Sequence, residues 1–149
     1  MIIVSLTDPH DAQATALLRQ SHALMQELFP PEENFYLSID DLTAQDIHFY
    51  TARIGDRIVG TGALRVCDGY GEIKSMFVDT TARGQGVADA ILRQIEDQAR
   101  ALSLQMLKLE TGNILHAAQK MYARHGFTLC GPFGDYPAVK SSVFMEKTL

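Results

Sequence analysis

Cysteine is scarce in this sequence, and long apolar runs are absent from it. The two cysteines, Cys67 and Cys130, show no metal-ligand spacing, and the five histidines show none either, so no metal ion is expected. No stretch approaches the roughly 18 consecutive apolar residues of a membrane span, which argues against a membrane partner. The apolar start, residues 1–6, lacks the basic region and the cleavage site of a signal peptide. These absences together predict a cytoplasmic protein with reduced thiols.

Basic residues are not concentrated in any part of the chain. The 13 Lys and Arg residues are outnumbered by 18 Asp and Glu, which gives a net charge of −5. Nucleic-acid-binding domains usually carry a basic patch, so we expect no nucleic-acid partner. Hydrophobic residues make up 46% and charged residues 21%, as in ordinary globular proteins. A length of 149 residues suits one domain, spanning 1–149.

Several segments have the short apolar patterns of strands, some of them alternating as in half-buried strands. Strands are predicted at 2–6, 47–54, 57–66, 72–78, 106–110, 127–130 and 141–146. The sequence Gly55-Asp56 separates two of them and, because glycine comes first, predicts a type II′ hairpin.

Apolar residues at helical spacing predict three helices. The first is expected to have Thr7 or Asp8 as its cap and Pro9 in its first turn, and to stop before residues 29–31. The others are predicted at about 87–102 and about 117–125. Antiparallel hairpins followed by a βαβ crossover predict a mixed α/β fold, with a sheet of six to seven strands and helices on both faces.

The turn Arg83-Gly84-Gln85-Gly86-Val87-Ala88 carries the strongest chemical signal. It follows the predicted strand 72–78 and leads into a predicted helix, where free amide groups and the helix dipole favour an anion. Gly84 and Gly86 remove side chains that would block a diphosphate. A P-loop does not fit, because no Gly-Lys-Ser/Thr is present, and a dinucleotide fingerprint does not fit, because its third glycine is missing.

Two motifs resemble the GNAT superfamily of N-acetyltransferases. The segment 78–88 is similar to the family's Arg/Gln-x-x-Gly-x-Gly/Ala acetyl-CoA signature, with Arg83, Gly86 and Ala88 at its fixed positions. Downstream, Ala118-x-x-x-Tyr122-x-x-x-Gly126-Phe127 resembles the family's acceptor-side helix and the strand after it. The segments 71–76 and 131–136 look like a bacterial subgroup of small-molecule acetyltransferases. The chain departs from the family pattern at Thr80, where proline is frequent, and at Leu115, where asparagine is usual.

The resemblance implies an acetyl-CoA site. The backbone amides of 84–88 would bind the pyrophosphate, and the strands 72–78 and 106–110 would splay apart around the pantetheine arm. The implied cofactor-binding residues are Met76, Phe77, Val78, Arg83, Gly84, Gln85, Gly86, Val87, Ala88, Asn113 and Tyr122. Asn113 is the nearest asparagine to the family's position, two residues early. Acetyl-CoA is expected as a co-substrate, and a homodimer is an expectation from the family alone.

The catalytic roles also follow from the resemblance. Tyr122 occupies the position of the general acid that protonates the departing thiolate, and Glu72 is the candidate base, with His48, Tyr50 and His116 as alternatives. A backbone amide near residues 76–77 would polarise the carbonyl oxygen. The residues expected to contact the acceptor are Phe29, Tyr36, His48, Tyr50, Glu72 and Tyr136.

The acceptor itself stays open at this point. The first hypothesis is direct transfer of acetyl to a primary amine of a small molecule or amino acid in a ternary complex. The second is transfer to a protein N-terminus or lysine, and the third is a non-catalytic acyl-CoA sensor.

Overall fold

The computed structural model describes all 149 residues, which form seven strands and three helices. The strands are β1 (Ile2–Leu6), β2 (Ile47–Ile54), β3 (Arg57–Val66), β4 (Gly71–Val78), β5 (Met106–Gly112), β6 (Thr128–Cys130) and β7 (Ser142–Thr148). The helices are α1 (Ala12–Leu28), α2 (Val87–Ala101) and α3 (His116–Arg124). Short 3₁₀ turns lie at Pro31–Glu33, Asp41–Thr43 and Thr80–Ala82.

All seven strands join one sheet in the order β1-β2-β3-β4-β5-β7-β6. Only the central pair β4–β5 is parallel, because α2 connects these strands as a crossover. The predicted mixed sheet is therefore confirmed. At the hairpin between β2 and β3, Gly55 has a φ of 61° and Asp56 has no positive φ, which is compatible with the predicted type II′ turn and excludes type I′.

Helices cover both faces of the sheet, as expected. On one face, Leu17 and Leu18 of α1 pack with Phe49 and Ala63 in a smaller apolar cluster. On the other face, α2 and α3 contribute to a cluster of 17 buried residues. None of the three helices combines the length and the apolarity needed to cross a bilayer.

The predicted start of α1 was wrong. Asp11 caps the helix, because its carboxylate accepts the backbone N–H groups of Gln13 and Ala14, each at 3.0 Å. Thr7 instead makes a hydrogen bond of 2.6 Å with the Thr51 hydroxyl on β2. The residues 7–10 therefore form a separate turn between β1 and α1.

The two central strands part soon after they meet. Their register covers three pairs only, from Gly71–Leu107 to Ile73–Leu109. Farther along, β4 is irregular at Ser75, whose φ is 58° and whose carbonyl oxygen accepts the Thr61 hydroxyl at 2.8 Å. The strand ends beyond this point leave a gap in the middle of the sheet, and the site described next occupies it.

Candidate functional site: a cavity between the parted strands

A cavity of about 900 Å³ opens between the parted ends of β4 and β5. Its walls come from β4 and β5, the start of α2, α3, and the end of α1 with the loop that follows. One end of the cavity lies at the turn before α2 and the other beneath α1 and its loop. We call these the turn end and the acceptor end.

The turn end has the backbone geometry of an anion site. Gly84 and Gly86 have φ values of 79° and 84°, which a residue with a Cβ adopts only with strain. Gly86 is the N-cap of α2 and offers no side-chain cap, so no side chain caps the amide groups of the first helical turn. Arg83, Gly84, Gly86 and the first residues of α2, Val87 and Ala88, line the cavity.

A second set of contacts holds this turn in place. Arg57 donates from Nη2 to the Asp79 carboxylate and to the Thr81 hydroxyl, both at 2.7 Å. The Asp79 carboxylate also accepts the backbone N–H of Thr81 at 3.0 Å and caps the 3₁₀ turn. Hydrogen bonds from Thr81 and then from Arg57 hold the pKa of Asp79 below its ordinary value. The turn therefore leaves β4 along a fixed path.

Farther along α2, Asp89 ties the helix to the end of α3. The ring Nε2 of His125 lies 2.7 Å from the Asp89 carboxylate, and Arg124 donates to the same oxygen at 3.2 Å. The hydrogen bond with His125, followed by that with Arg124, lowers the pKa of Asp89. Asp89 and Arg124 both line the cavity.

Tyr122 on α3 also lines the cavity. Its side chain packs against Phe127 in a T-shaped contact, with the ring centroids 5.7 Å apart. The residue is 5% exposed, and burial alone raises the pKa of its phenol above the ordinary value. The hydroxyl therefore stays protonated at neutral pH, as a proton donor requires.

The acceptor end contains a carboxylate that the sequence did not single out. Glu110, at the point where β5 leaves β4, lines the cavity and accepts the Ser142 hydroxyl at 2.7 Å. Burial raises the pKa of Glu110, and the hydrogen bond from Ser142 partly offsets this. A second carboxylate, that of Glu33, lines the same end and accepts the Ser141 hydroxyl at 2.7 Å.

Two of the six predicted acceptor residues line this end and four do not. Phe29 and Tyr36 line the cavity. His48 and Tyr50, which were also predicted to contact the acceptor, do not line the cavity. The Tyr50 ring is 3% exposed within the cluster beneath α2, because its face of β2 points away from α1. His116, the third alternative base, does line the cavity at the start of α3.

Glu72 is buried rather than presented to the cavity. Its side chain is 3% exposed and does not line the cavity. It accepts the Tyr136 hydroxyl at 2.5 Å and lies 3.5 Å from the ammonium of Lys74. Tyr136 is likewise behind the wall and not part of it. Glu72 and Tyr136, both predicted to contact the substrate, thus bond to each other and do not line the cavity.

Of the other residues predicted to bind the cofactor, some line the cavity and others do not. Met76, Phe77 and Val78 of β4 line the cavity, whereas Gln85 and Asn113 do not. The backbone of Asn113 is occupied by neighbouring segments: its N–H donates to the Ser141 carbonyl at 2.8 Å, and its carbonyl accepts Gln119 at 3.2 Å. No group of three or more His, Cys, Asp and Glu side chains is placed to hold a metal ion.

The chain is similar to known proteins both in sequence and in structure. Residues 14–127 match the model of the acetyltransferase (GNAT) family. An IAA acetyltransferase of Azospirillum brasilense is 37% identical, over 99% of this chain and 98% of the relative. Among solved structures, a proposed acyl-CoA N-acyltransferase from Klebsiella pneumoniae superposes with a TM-score of 0.85 at 32% identity, covering 100% of this chain and 98% of that one.

A more distant structure shares the fold. The PaiA N-acetyltransferase from Thermoplasma acidophilum, solved in complex with coenzyme A, has a TM-score of 0.78 at 14% identity and covers 100% of this chain and 99% of that one. The family match, the full-length relatives and the parted central strands agree, and the chain belongs to the acetyltransferase (GNAT) family.

Proposed function

We propose that the protein is a single-domain, acetyl-CoA-dependent N-acetyltransferase that acts on a primary amine of a small molecule or amino acid. One observation carries the proposal: a single cavity connects the uncapped N-terminus of α2 with a half-buried carboxylate, that of Glu110. The first feature suits the pyrophosphate of the cofactor, and the second suits a cationic acceptor.

The cofactor would lie along the gap between β4 and β5. Its pyrophosphate would accept the amides of residues 84–88, and its pantetheine arm would run beside Met76 and Val78, both of which line the cavity. Charge-assisted hydrogen bonds are each worth about 1.5–3 kcal/mol, so a few of them supply much of the roughly 8 kcal/mol of micromolar binding. A protein with this fold has been solved in complex with coenzyme A, which supports the choice of this cofactor.

The acceptor end is suited to an amine because its charges do not cancel. The ammonium of Lys74 is compensated by Glu72 at 3.5 Å. Glu33 and Glu110 both line the cavity and accept hydrogen bonds from neutral serine hydroxyls; of the two, Glu110 also experiences the charge of Lys74. A cation gains from such a site, whereas a carboxylate would be repelled by it.

Two side chains carry out the proton transfers of the proposed reaction. Glu110, whose raised pKa makes it a better proton acceptor, takes a proton from the ammonium form of the acceptor. The neutral nitrogen attacks the carbonyl carbon and forms the C–N bond. As the C–S bond breaks, Tyr122 donates its proton to the thiolate, and the second proton of the nitrogen returns to the phenol through solvent. The products are the N-acetyl amine, coenzyme A and the proton that Glu110 releases to solvent.

Two measurements test the proposal. Calorimetric titration with acetyl-CoA should show binding, and the absence of both heat and thermal stabilisation at millimolar cofactor would overturn it. A screen of thiol release over amines, amino acids and peptides should then show turnover with small amines. Turnover with peptides alone would indicate a protein acceptor, and cofactor binding without turnover of any acceptor would indicate a sensor.

A further inference from the structure

Two loops that are distant in sequence meet at one lysine. The loop after α1 reaches it through the carbonyl oxygen of Phe35, which accepts the Lys74 ammonium at 3.0 Å. The loop before β7 reaches it through Tyr136, whose hydroxyl oxygen lies 2.6 Å from the same nitrogen. Lys74 lies on β4, directly beneath both loops, and its side chain is 9% exposed.

A buried carboxylate balances this lysine. The Tyr136 hydroxyl donates onward to Glu72, so the three side chains form a continuous chain of hydrogen bonds. Glu72 also has Arg65 at 3.9 Å on its outer side. The Lys74 ammonium donates hydrogen bonds to Phe35 and Tyr136 and forms an ion pair with the Glu72 carboxylate at 3.5 Å. Lys74 lines the cavity, and these contacts fix the position of its ammonium group.

Aromatic packing makes the two loops parts of one wall. The rings of Phe35 and Tyr136 meet edge to face at 5.5 Å, and Tyr136 packs in the same way on Phe144 of β7. The Lys74 nitrogen also lies 5.3 Å from the centre of the Tyr136 ring. Each loop contacts the other and Lys74, so displacing either loop breaks contacts of both.

We propose that Lys74 is a positioning residue that holds the loop after α1 and the loop before β7 together, and so sets the affinity for the acceptor. This inference rests on the proposed function for its kinetic part only. The first loop supplies Glu33 and Tyr36 to the cavity, and the second supplies Ser141. Lys74 acts on the acceptor through these residues, while the turn before α2 is untouched.

The variant that tests this is Glu72→Gln with Lys74→Met, which removes both charges of this ion pair at once and so leaves neither partner with an uncompensated charge. The matched control is Glu96→Gln with Lys147→Met, which removes an ion pair of 3.0 Å between α2 and β7, away from both loops. A second variant, Tyr136→Phe, keeps the ring and removes only the hydroxyl, and it serves if the double variant does not fold.

Hydrogen exchange of the free protein is measured first, since it needs neither cofactor nor acceptor. We expect the amides of 30–41 and of 131–141 to exchange faster together in the loop variants, with the control unchanged there. Exchange that stays as in the wild type in both loops, or that rises in one loop alone, overturns the inference. This measurement remains decisive even if the proposed function is wrong.

Kinetics is measured second. We expect the KM for the acceptor to rise by about tenfold or more, since small misplacement of an acceptor is costly, while the Kd for acetyl-CoA changes less than about twofold. A lower melting temperature with an unchanged acceptor KM would identify the group as a core ion pair and nothing more. If no acceptor is found because the proposed function is wrong, the exchange result still decides between coupled and independent loops.

Discussion

The ring of Phe29 lies so close to Gly112 that a Cβ at position 112 would clash with it. Phe29 follows the last residue of α1, and Gly112 is the last residue of β5. Both residues line the cavity. The contact therefore joins the end of α1 to the end of β5 at the acceptor end.

Gly112→Ala should displace the Phe29 ring and widen or block the acceptor end. We expect a loss of about 1–3 kcal/mol in the free energy of unfolding, because the new methyl overpacks the contact, together with a changed KM for the acceptor. Adding Phe29→Ala should recover part of the lost stability. Chemical denaturation of the three variants measures this coupling, and additive losses would contradict a direct contact.

Gly86→Ala should weaken acetyl-CoA binding. The backbone at Gly86 has φ 84°, so a Cβ costs about 1 kcal/mol of strain and also projects into the open turn before α2. We expect an increase of about tenfold or more in the Kd of acetyl-CoA, the equivalent of losing one good hydrogen bond. Calorimetry measures it.

The hairpin offers a matched control for that variant. Gly55 has φ 61° and open space around it, and it does not line the cavity. Gly55→Ala should cost similar stability and leave the Kd unchanged. Equal losses of affinity in both variants would point to general destabilisation instead of a phosphate cradle.

Tyr122→Phe should lower kcat by about a hundredfold or more, because the thiolate then leaves without its proton donor. The Kd of acetyl-CoA should change little, since the ring remains. Tyr50→Phe is the control, because Tyr50 is a buried tyrosine outside the cavity. Steady-state thiol release measures both, and an unchanged kcat in Tyr122→Phe would remove the residue from the reaction.

The rate should fall at low pH through the titration of Glu110. Burial raises the pKa of this carboxyl above the ordinary 4.5, so the base is lost by protonation at a higher pH than for an exposed glutamate. Ser142→Ala removes the hydrogen bond that lowers this pKa, and the acidic limb of kcat/KM should then move to still higher pH. Glu110→Gln should abolish the limb. If the fall of kcat/KM at low pH persists in Glu110→Gln, it belongs to another group. His116, which also lines the cavity, is the first alternative to examine.

The turn end of the site was the part that sequence could predict. Gly84, Gly86 and Tyr122 belong to two compact motifs whose spacing specifies them, and the structure places all three at the cavity. The order of strands and helices was equally readable, because apolar periodicity is local. The order of β6 and β7 in the sheet was not, since it depends on pairing between strands and on no local pattern.

The acceptor end could not be predicted in the same way. Glu110 follows the buried Leu109 in the alternating pattern of an ordinary strand. Only the parting of β4 and β5 exposes Glu110 to a cavity. Glu72 was the more conspicuous carboxylate, yet Tyr136, 64 residues away, covers it. Such long-range contacts between loops leave no spacing in the sequence.

The three registered pairs between β4 and β5 also have a mechanical meaning. They form a narrow seam between a half-sheet of four strands, β1 to β4, and a half-sheet of three, β5 to β7. Pulling on the two ends of the chain loads this seam, because β1 belongs to one half-sheet and β7 to the other. A cofactor lying in the gap like an added strand would carry part of that load.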